Sequence, residues 1–470
     1  MPLTLFDKIW QDHTVEKLPD GEYLLYIDRI FLHERTGSIA LQSLAEKGHL
    51  IKNKEHVFCT IDHIVDTLPG RTDITLMPSG DKFISSTRKY AKKAGIQFFD
   101  IDDPRQGIVH VVSPEQGIAL PGCIVVCPDS HTCTLGGVSA LGWGIGSTDA
   151  EHAMATATLK SRKPKNMQVT FTGKLQAGVT AKDMILHLIR KHKTSGGNGF
   201  AIEFNGDTIE NLPVEDRLTL CNMAVEFSAF SAIIAPDQKT IDYVEGRPFA
   251  PQGKQWEKAI DYWQTLKSDN DAKFDASIII DASQITPSVT WGTSPEQLMS
   301  IDGTVPDPST EQDQDKRQAM LRALDYMDLQ PGTSAKQIMI DAAFIGSCTN
   351  SRLSNLRAAA AQLKGKKIAP HVKAICVPGS SQVKLAAEKE GLHKVFEEAG
   401  FEWREAGCSM CFYAGGETFG EQQRIVTSTN RNFEGRQGPG CRSHLASAAV
   451  VAASAVKGHI SAPEEADHYG

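Results

Sequence analysis

The 470-residue sequence lacks any long apolar run. Its most apolar stretch, 445–456, is short and rich in Ala and Ser, which reads as a tightly packed helix and argues against a membrane span. The N-terminus, MPLTLFDKIW, carries charges early and has no apolar signal region. An excess of basic residues is also missing. The 49 Lys and Arg stand against 57 Asp and Glu, for a formal charge of −8. That balance speaks against nucleic acid or an anionic membrane as the main partner, while leaving room for a local basic pocket that takes a small anion. With no export signal, the ten cysteines are expected as reduced thiols of a cytoplasmic protein, not as a disulfide framework. Fixed-period repeats are absent too.

What is present points to α/β architecture. The length exceeds what one core supports, so two to four α/β units are expected. Short apolar runs at 124–127, 372–377 and 425–427 alternate with helical patterns at 149–159, 181–191, 352–363, 384–398 and 443–456. The basic segment SRKPKN, 161–166, reads as a linker. A second seam is expected at ITPSVTWGTSP, 285–295, where Pro and Gly interrupt regular structure. Three polar clusters follow short strands: DSH at 129–131, GSCTN at 346–350 and STNRN at 428–432. Ligand sites gather beyond the carboxyl ends of strands in open α/β sheets, so the three suggest one convergent cleft.

Cysteine spacing adds a metal question. Cys408 and Cys411 form a C-x-x-C unit, and Cys348 lies sixty residues before Cys408 on a predicted strand-to-helix turn. A helix N-terminus there favours the thiolate. Read alone, the C-x-x-C pair serves equally as a redox dithiol, half a zinc site or two buried cysteines. Closed sites want four ligands, and no fourth cysteine stands beside these three. Cys376 follows an apolar strand and reads as core. Cys123 and Cys127, four apart on a predicted strand, read with Cys133 as buried packing residues. Cys59, Cys221 and Cys441 receive no ligand role. His152, His187 and His192 fall on helical patterns and read as structural.

IGSCTNSR (345–352), GCSMC (407–411), STNRNFEGRQG (428–438), PDSHT (128–132), GIVH (107–110) and IDH (61–63) occur together in one order. In that order and spacing the chain resembles the aconitase superfamily along essentially its whole length. Within it, VTWGTSPEQ (289–297) and LTLCNMAVE (218–226) resemble the large subunits of the two-chain isopropylmalate isomerases. The resemblance implies a three-domain α/β fold converging on a central cluster cleft, with domains over 1–165, 166–284 and 285–470, the last carrying the cluster cysteines. It implies one 4Fe–4S cluster held by Cys348, Cys408 and Cys411, with one iron open to substrate as a Lewis acid. The implied reaction moves a hydroxyl between adjacent carbons by dehydration and rehydration. The implied substrate pair is 2- and 3-isopropylmalate of leucine biosynthesis. The alternative is another malate homologue of the citramalate, dimethylmalate or homoaconitate type.

The same resemblance assigns residues. Asp62 and His63 deliver a proton to the departing hydroxyl, while His110, Asp129 and His131 position the reacting water. Glu226 joins the proton network, and Asn222, Asn350 and Asn430 hold the cluster environment. Arg431 and Arg436 clamp the carboxylates of a small di- or tricarboxylate substrate, and Ser130 donates to one of them. Gln42 matches a substrate-side position less well. No segment resembles the further domain that carries the proton-abstracting base in single-chain aconitases, so a small-subunit partner is expected to bring it. Three stretches depart from the usual large-subunit pattern: HERTGSIALQSL (33–44), FSAFSA (227–232) and FYAGGETFGEQ (412–422). These leave the reaction type in place and the substrate open.

Overall fold

The computed structural model describes residues 2–413 and 416–464. Three parallel sheets organise the chain. The first runs, edge to edge, Gln97–Phe99, Val57–Thr60, Arg29–His33, Ile124–Cys127 and Leu141–Gly144. The second runs Ser231–Ile233, Phe200–Asn205, Lys165–Thr172 and Ala276–Asp281. The third runs Phe401–Trp403, Lys373–Cys376, Ala342–Ile345, Arg424–Thr427 and Arg442–Leu445. Val57–Thr60, Ile124–Cys127 and Ala342–Ile345 are buried at every position. Strands covered on both faces read as continuous apolar runs, which is why Ile124–Cys127 stood out in the sequence, whereas Val57–Thr60 was not picked out.

The first and third sheets share one winding. In each, the earliest strand is central, the next two extend one way and the last two the other. The chain therefore reverses direction beside Arg29–His33 and beside Ala342–Ile345. Crevices open at such switch points, beyond the strands' carboxyl ends.

Several elements differ from their sequence patterns. The helix expected over 384–398 is two, Ser381–Lys389 and Leu392–Ala399, separated where Gly391 takes a left-handed φ of 77°. The pattern at 443–456 divides into the strand Arg442–Leu445 and the helix Ala448–Lys457, whose first turn is capped by Ser447. Periodicity alone does not separate a short buried strand from the start of a buried helix. Likewise Ser147–Thr156 is helical, but Thr158–Ser161 pairs with Tyr23–Tyr26 as a strand. Only 162–164 remains of the expected linker, because Lys165 already opens the second sheet. The seam at 285–295 contains a strand, Ser288–Thr290, paired antiparallel with Leu298–Ser300. Asn222 ends one helix and Glu226 sits in a following 3-10 turn. Cys123 lies just before its strand, while Cys127 and Cys376 are wholly buried in apolar core as expected. Among the described residues no helix is long and apolar enough to cross a membrane.

His444, wholly buried in the edge strand of the third sheet, fixes one tautomer. Its Nδ1 donates to the Thr290 carbonyl at 2.6 Å, and its Nε2 accepts from Arg424 at 3.1 Å. Burial and the Arg424 charge lower its pKa from 6.5 to about 3. The unfolded chain binds this proton below pH 6.5 and the folded chain does not until about pH 3. Stability is therefore lost as pH falls through that window, at up to about 1.4 kcal/mol per pH unit for this one group. A His444→Gln variant is expected to show a shallower fall in thermal midpoint than the parent on acidification. Equal slopes would refute the neutral assignment.

Candidate active site

Glu34, one residue past the strand Arg29–His33, organises the proton-bearing half of the site. Its wholly buried carboxylate accepts the backbone N–H of Asp62 at 3.0 Å, of His63 at 2.7 Å and of Ile64. The turn after Val57–Thr60 is thereby held by its main chain. On it, Asp62 Oδ1 meets His63 Nδ1 at 2.5 Å, and Asp62 Oδ2 accepts the Val109 N–H at 3.1 Å. His63 Nε2 lies 3.3 Å from Asp129 Oδ2. Asp129, past the strand Ile124–Cys127, also meets His110 Nε2 and accepts the His131 N–H, both at 2.8 Å. His131 Nε2 continues to Glu226 at 2.9 Å, and Glu226 accepts from Arg431 Nε at 2.8 Å. One hydrogen-bonded chain thus runs Asp62, His63, Asp129, His131, Glu226, Arg431, with its step from Asp129 to His131 made through the His131 main-chain N–H, the ring Nδ1 standing 3.7 Å off.

Charges alternate along this relay. Burial opposes ionisation of His63, but Asp62 and Asp129 on its two sides raise its pKa well above 6.5. Burial would raise the Asp129 carboxyl, yet His110, His131 and His63 hold it well below the usual range. Glu226 is lowered against its burial by His131 and Arg431. His33 stacks on His63 with ring centroids 4.1 Å apart, and burial together with the His63 charge lowers it to about 4. The pair is therefore one imidazolium against one neutral ring. His33, Glu34, Asp62 and His63 offer ligand atoms within 4.8 Å of one another. Glu34 and Asp62 are already engaged with main-chain amides and Asp62 with His63, while His33 Nε2 meets the Pro128 carbonyl and its Nδ1 has no partner, so the group reads first as a hydrogen-bond network.

The thiol half comes from the third sheet. Ala342–Ile345 leads through Ser347, at a left-handed φ of 78°, to Cys348. Cys408 and Cys411 share a tight turn in which the Cys411 N–H donates to the Cys408 carbonyl at 3.0 Å. The Cys408 N–H donates to the Asp62 carbonyl at 2.8 Å, which joins the two halves through main chain. All three thiols are buried. Asn222 Nδ2 donates to the Cys348 sulfur at 3.1 Å and Asn430 Nδ2 at 3.5 Å. Ser347 Oγ lies 3.1 Å from the Cys411 sulfur, and an Arg436 N–H points at it from 3.8 Å. Burial pushes the Cys348 thiol up to about 12, and the bond to Cys411 with burial holds Cys408 above the usual thiol range. Cys411 is held well below it by the Cys408 bond, by Arg436 and by Ser347. A cation bound by all three would deprotonate them together, since a coordinating thiol loses its proton outright.

A cavity of about 190 Å³ brings the halves together. His63, His110, Asp129, Ser130, His131, Cys348, Cys408, Cys411, Arg431 and Arg436 border it. Asp62 and Glu226 back onto the wall, and Asn222 and Asn430 reach the Cys348 sulfur. Asn350 is buried but makes no hydrogen bond to these thiols, and Gln42 is exposed and bonded to Glu46. Sequence reasoning missed His33, Glu34 and Gln106. The side-chain amide of Gln106 donates to the Ile61 and Ala406 carbonyls at 2.6 and 3.3 Å, tying both loops. A buried acid directly after a core strand was the available signal for Glu34.

The three departing stretches part company here. Phe230 of FSAFSA packs against Trp143 and Trp10, at 5.4 and 6.5 Å between ring centroids, away from the cavity wall. Arg35 and Phe412, from the other two stretches, meet at that wall with the guanidinium 4.7 Å from the ring centroid. Ala414 and Gly415 lie outside the described residues.

The aconitase family (aconitate hydratase) matches residues 7–458. This chain belongs to the aconitase family. It is also similar to 3-isopropylmalate dehydratase large subunit 1 of Bradyrhizobium diazoefficiens, with 51% identity over 457 residues, covering 97% of this chain and 95% of that relative. Membership of the aconitase family implies an iron–sulfur cluster. The donor set fits one. Three buried thiols border one cavity, and amide, hydroxyl and guanidinium groups already aim at two of their sulfurs.

Proposed function

We propose that this chain is the large subunit of a 3-isopropylmalate dehydratase, which interconverts 2- and 3-isopropylmalate by removing and re-adding water. The observation that carries the reading is the His63 relay opening onto the same cavity as the three thiols and Arg436. The near full-length likeness to a protein of that name supports the choice of substrate. In this reading Cys348, Cys408 and Cys411 hold one 4Fe–4S cluster, and the chain works in the cytoplasm as three domains over 1–165, 166–284 and 285–470. The cluster supplies a Lewis-acidic iron without a protein ligand, which weakens the carbon–oxygen bond of the substrate hydroxyl.

This chain's residues do the rest. Arg436 takes a substrate carboxylate with its forked N–H groups, and Arg431, pinned through Nε by Glu226, offers its outer nitrogens to another. Ser130 at the rim donates a further bond. His63, held as an imidazolium, passes its proton to the departing hydroxyl, and Asp129 with His110 and His131 orients the water that returns. The proton on the neighbouring carbon leaves to a base on a small-subunit partner, and the steps reverse when water adds to the other carbon. No electron is gained or lost overall.

Anaerobic iron and sulfide determination is expected to give roughly four of each per chain. With the small subunit added, 2-isopropylmalate is expected to outpace citramalate, dimethylmalate and homoaconitate in kcat/KM, and the large subunit alone is expected to show no turnover. Faster turnover of another acid in that panel would replace the substrate. Full activity of the isolated chain would remove the partner from the scheme.

A further inference from the structure

Lys182 is a wholly buried lysine, second in the helix Ala181–His192 beside the second sheet. Its ammonium donates to two main-chain carbonyls, those of Ser428 and Thr429. Among the described residues no carboxylate lies within ion-pairing distance of it. The adjacent Asp183 faces elsewhere, accepting from the Thr180 N–H at 2.9 Å, the Thr180 hydroxyl at 2.7 Å and the Ser288 N–H at 2.9 Å. A buried charge without a partner is costly, and retaining one points to an anion supplied by something else.

The clamped segment leads straight to the site. Ser428 Oγ accepts the Gly346 N–H at 3.0 Å and donates to the Gly346 carbonyl at 3.1 Å, two residues before Cys348. Asn430, next along, donates to the Cys348 sulfur, and Arg431 follows at the cavity wall. We infer that Lys182 is a positioning residue of the thiol site. Its ammonium ties down the loop that presents Asn430 and Arg431, and it stands as a buried counter-charge behind the three thiolates. Burial pushes the ammonium down to about 7, while Asp183 and the thiols of Cys411 and Cys348 act in the opposite sense. Three thiolates gathered on a cluster favour the charged form further.

This inference rests on the proposed cluster but not on the identity of the substrate. Two variants separate its parts. Lys182→Gln keeps N–H donors for the carbonyls and loses the charge, whereas Lys182→Met loses both. A buried cation near a cluster favours its reduced, more negative state. Both variants are therefore expected to lower the cluster's reduction midpoint, read by an anaerobic redox titration of the reconstituted chain. Lys182→Met alone is expected to raise KM about tenfold and to lower kcat as well, because Arg431 and its bond to Glu226 are no longer held in place. Thermal midpoints of the cluster-free chains serve as the folding control, and Lys182→Gln carries the charge test should the Met variant misfold. An unchanged midpoint in Lys182→Gln overturns the counter-charge. An unchanged KM in a folded Lys182→Met overturns the tie. Preference for a different acid would overturn the proposed substrate and leave the redox result standing.

Discussion

Replacing His63 with Gln is expected to lower kcat of the two-subunit enzyme by about 10²–10⁴, with cluster content and fold unchanged. The magnitude follows from position and charge together. His63 borders the cavity, and carboxylates at 2.5 and 3.3 Å hold its two nitrogens. Those carboxylates keep it protonated well above pH 6.5, so a proton is available where a hydroxyl must depart. Gln keeps a comparable size and one N–H donor without a transferable proton. The pH profile gives a second check. Dehydration requires the imidazolium and should fail on the alkaline side, as pH rises through the raised His63 pKa. Asp62→Asn removes one supporting charge, so its alkaline limb should move to lower pH. A His63→Gln enzyme with parental kcat would remove His63 from proton delivery.

Arg436→Met is expected to have the next largest effect, a drop of about 10²–10⁴ in kcat/KM seen mainly in KM. Each hydrogen bond to a charged group contributes about 1.5–3 kcal/mol, and a forked guanidinium makes two to one carboxylate. Arg436 is ready for that task. Its guanidinium lies 5.1 Å from the Phe412 ring centroid and 5.3 Å from that of Phe433, and among the described residues no carboxylate pairs with it. Arg436→Lys keeps a charge but not the fork, so it should recover only part of the loss. Arg431 should behave differently. Removing it also strips Glu226 of a partner and disturbs His131, so kcat and KM should both change. If Arg436→Met left KM unchanged in steady-state assays, the carboxylate would have to bind elsewhere.

The sheet cores were legible where Ile124–Cys127, Lys373–Cys376 and Arg424–Thr427 lie in apolar runs, while Val57–Thr60 was not picked out. The residues around the cavity were legible as motifs. Other features depend on contacts between distant segments and leave no local trace. Lys182 reads in sequence as one more helical lysine, and only the approach of its helix to residues 428 and 429 gives it a role. Glu34 likewise acts on a turn 28 to 30 residues away. The FSAFSA stretch departs from the family pattern away from the cavity, where Phe230 fills an aromatic cluster with Trp10 and Trp143. The helix break at Gly391 was missed because charged and apolar residues keep helical spacing across it.

The grip of Glu34 on the Asp62–His63 turn has a bearing on repair. That turn is ordered by main-chain amides, and its link to the thiol loop also runs through main chain, from the Cys408 N–H to the Asp62 carbonyl. Neither contact involves a sulfur atom. Stripping the metal from the thiols therefore leaves the proton-donating apparatus assembled. Supplying iron and sulfide to a chain stripped of the proposed cluster is therefore expected to restore activity with the small subunit without a refolding step.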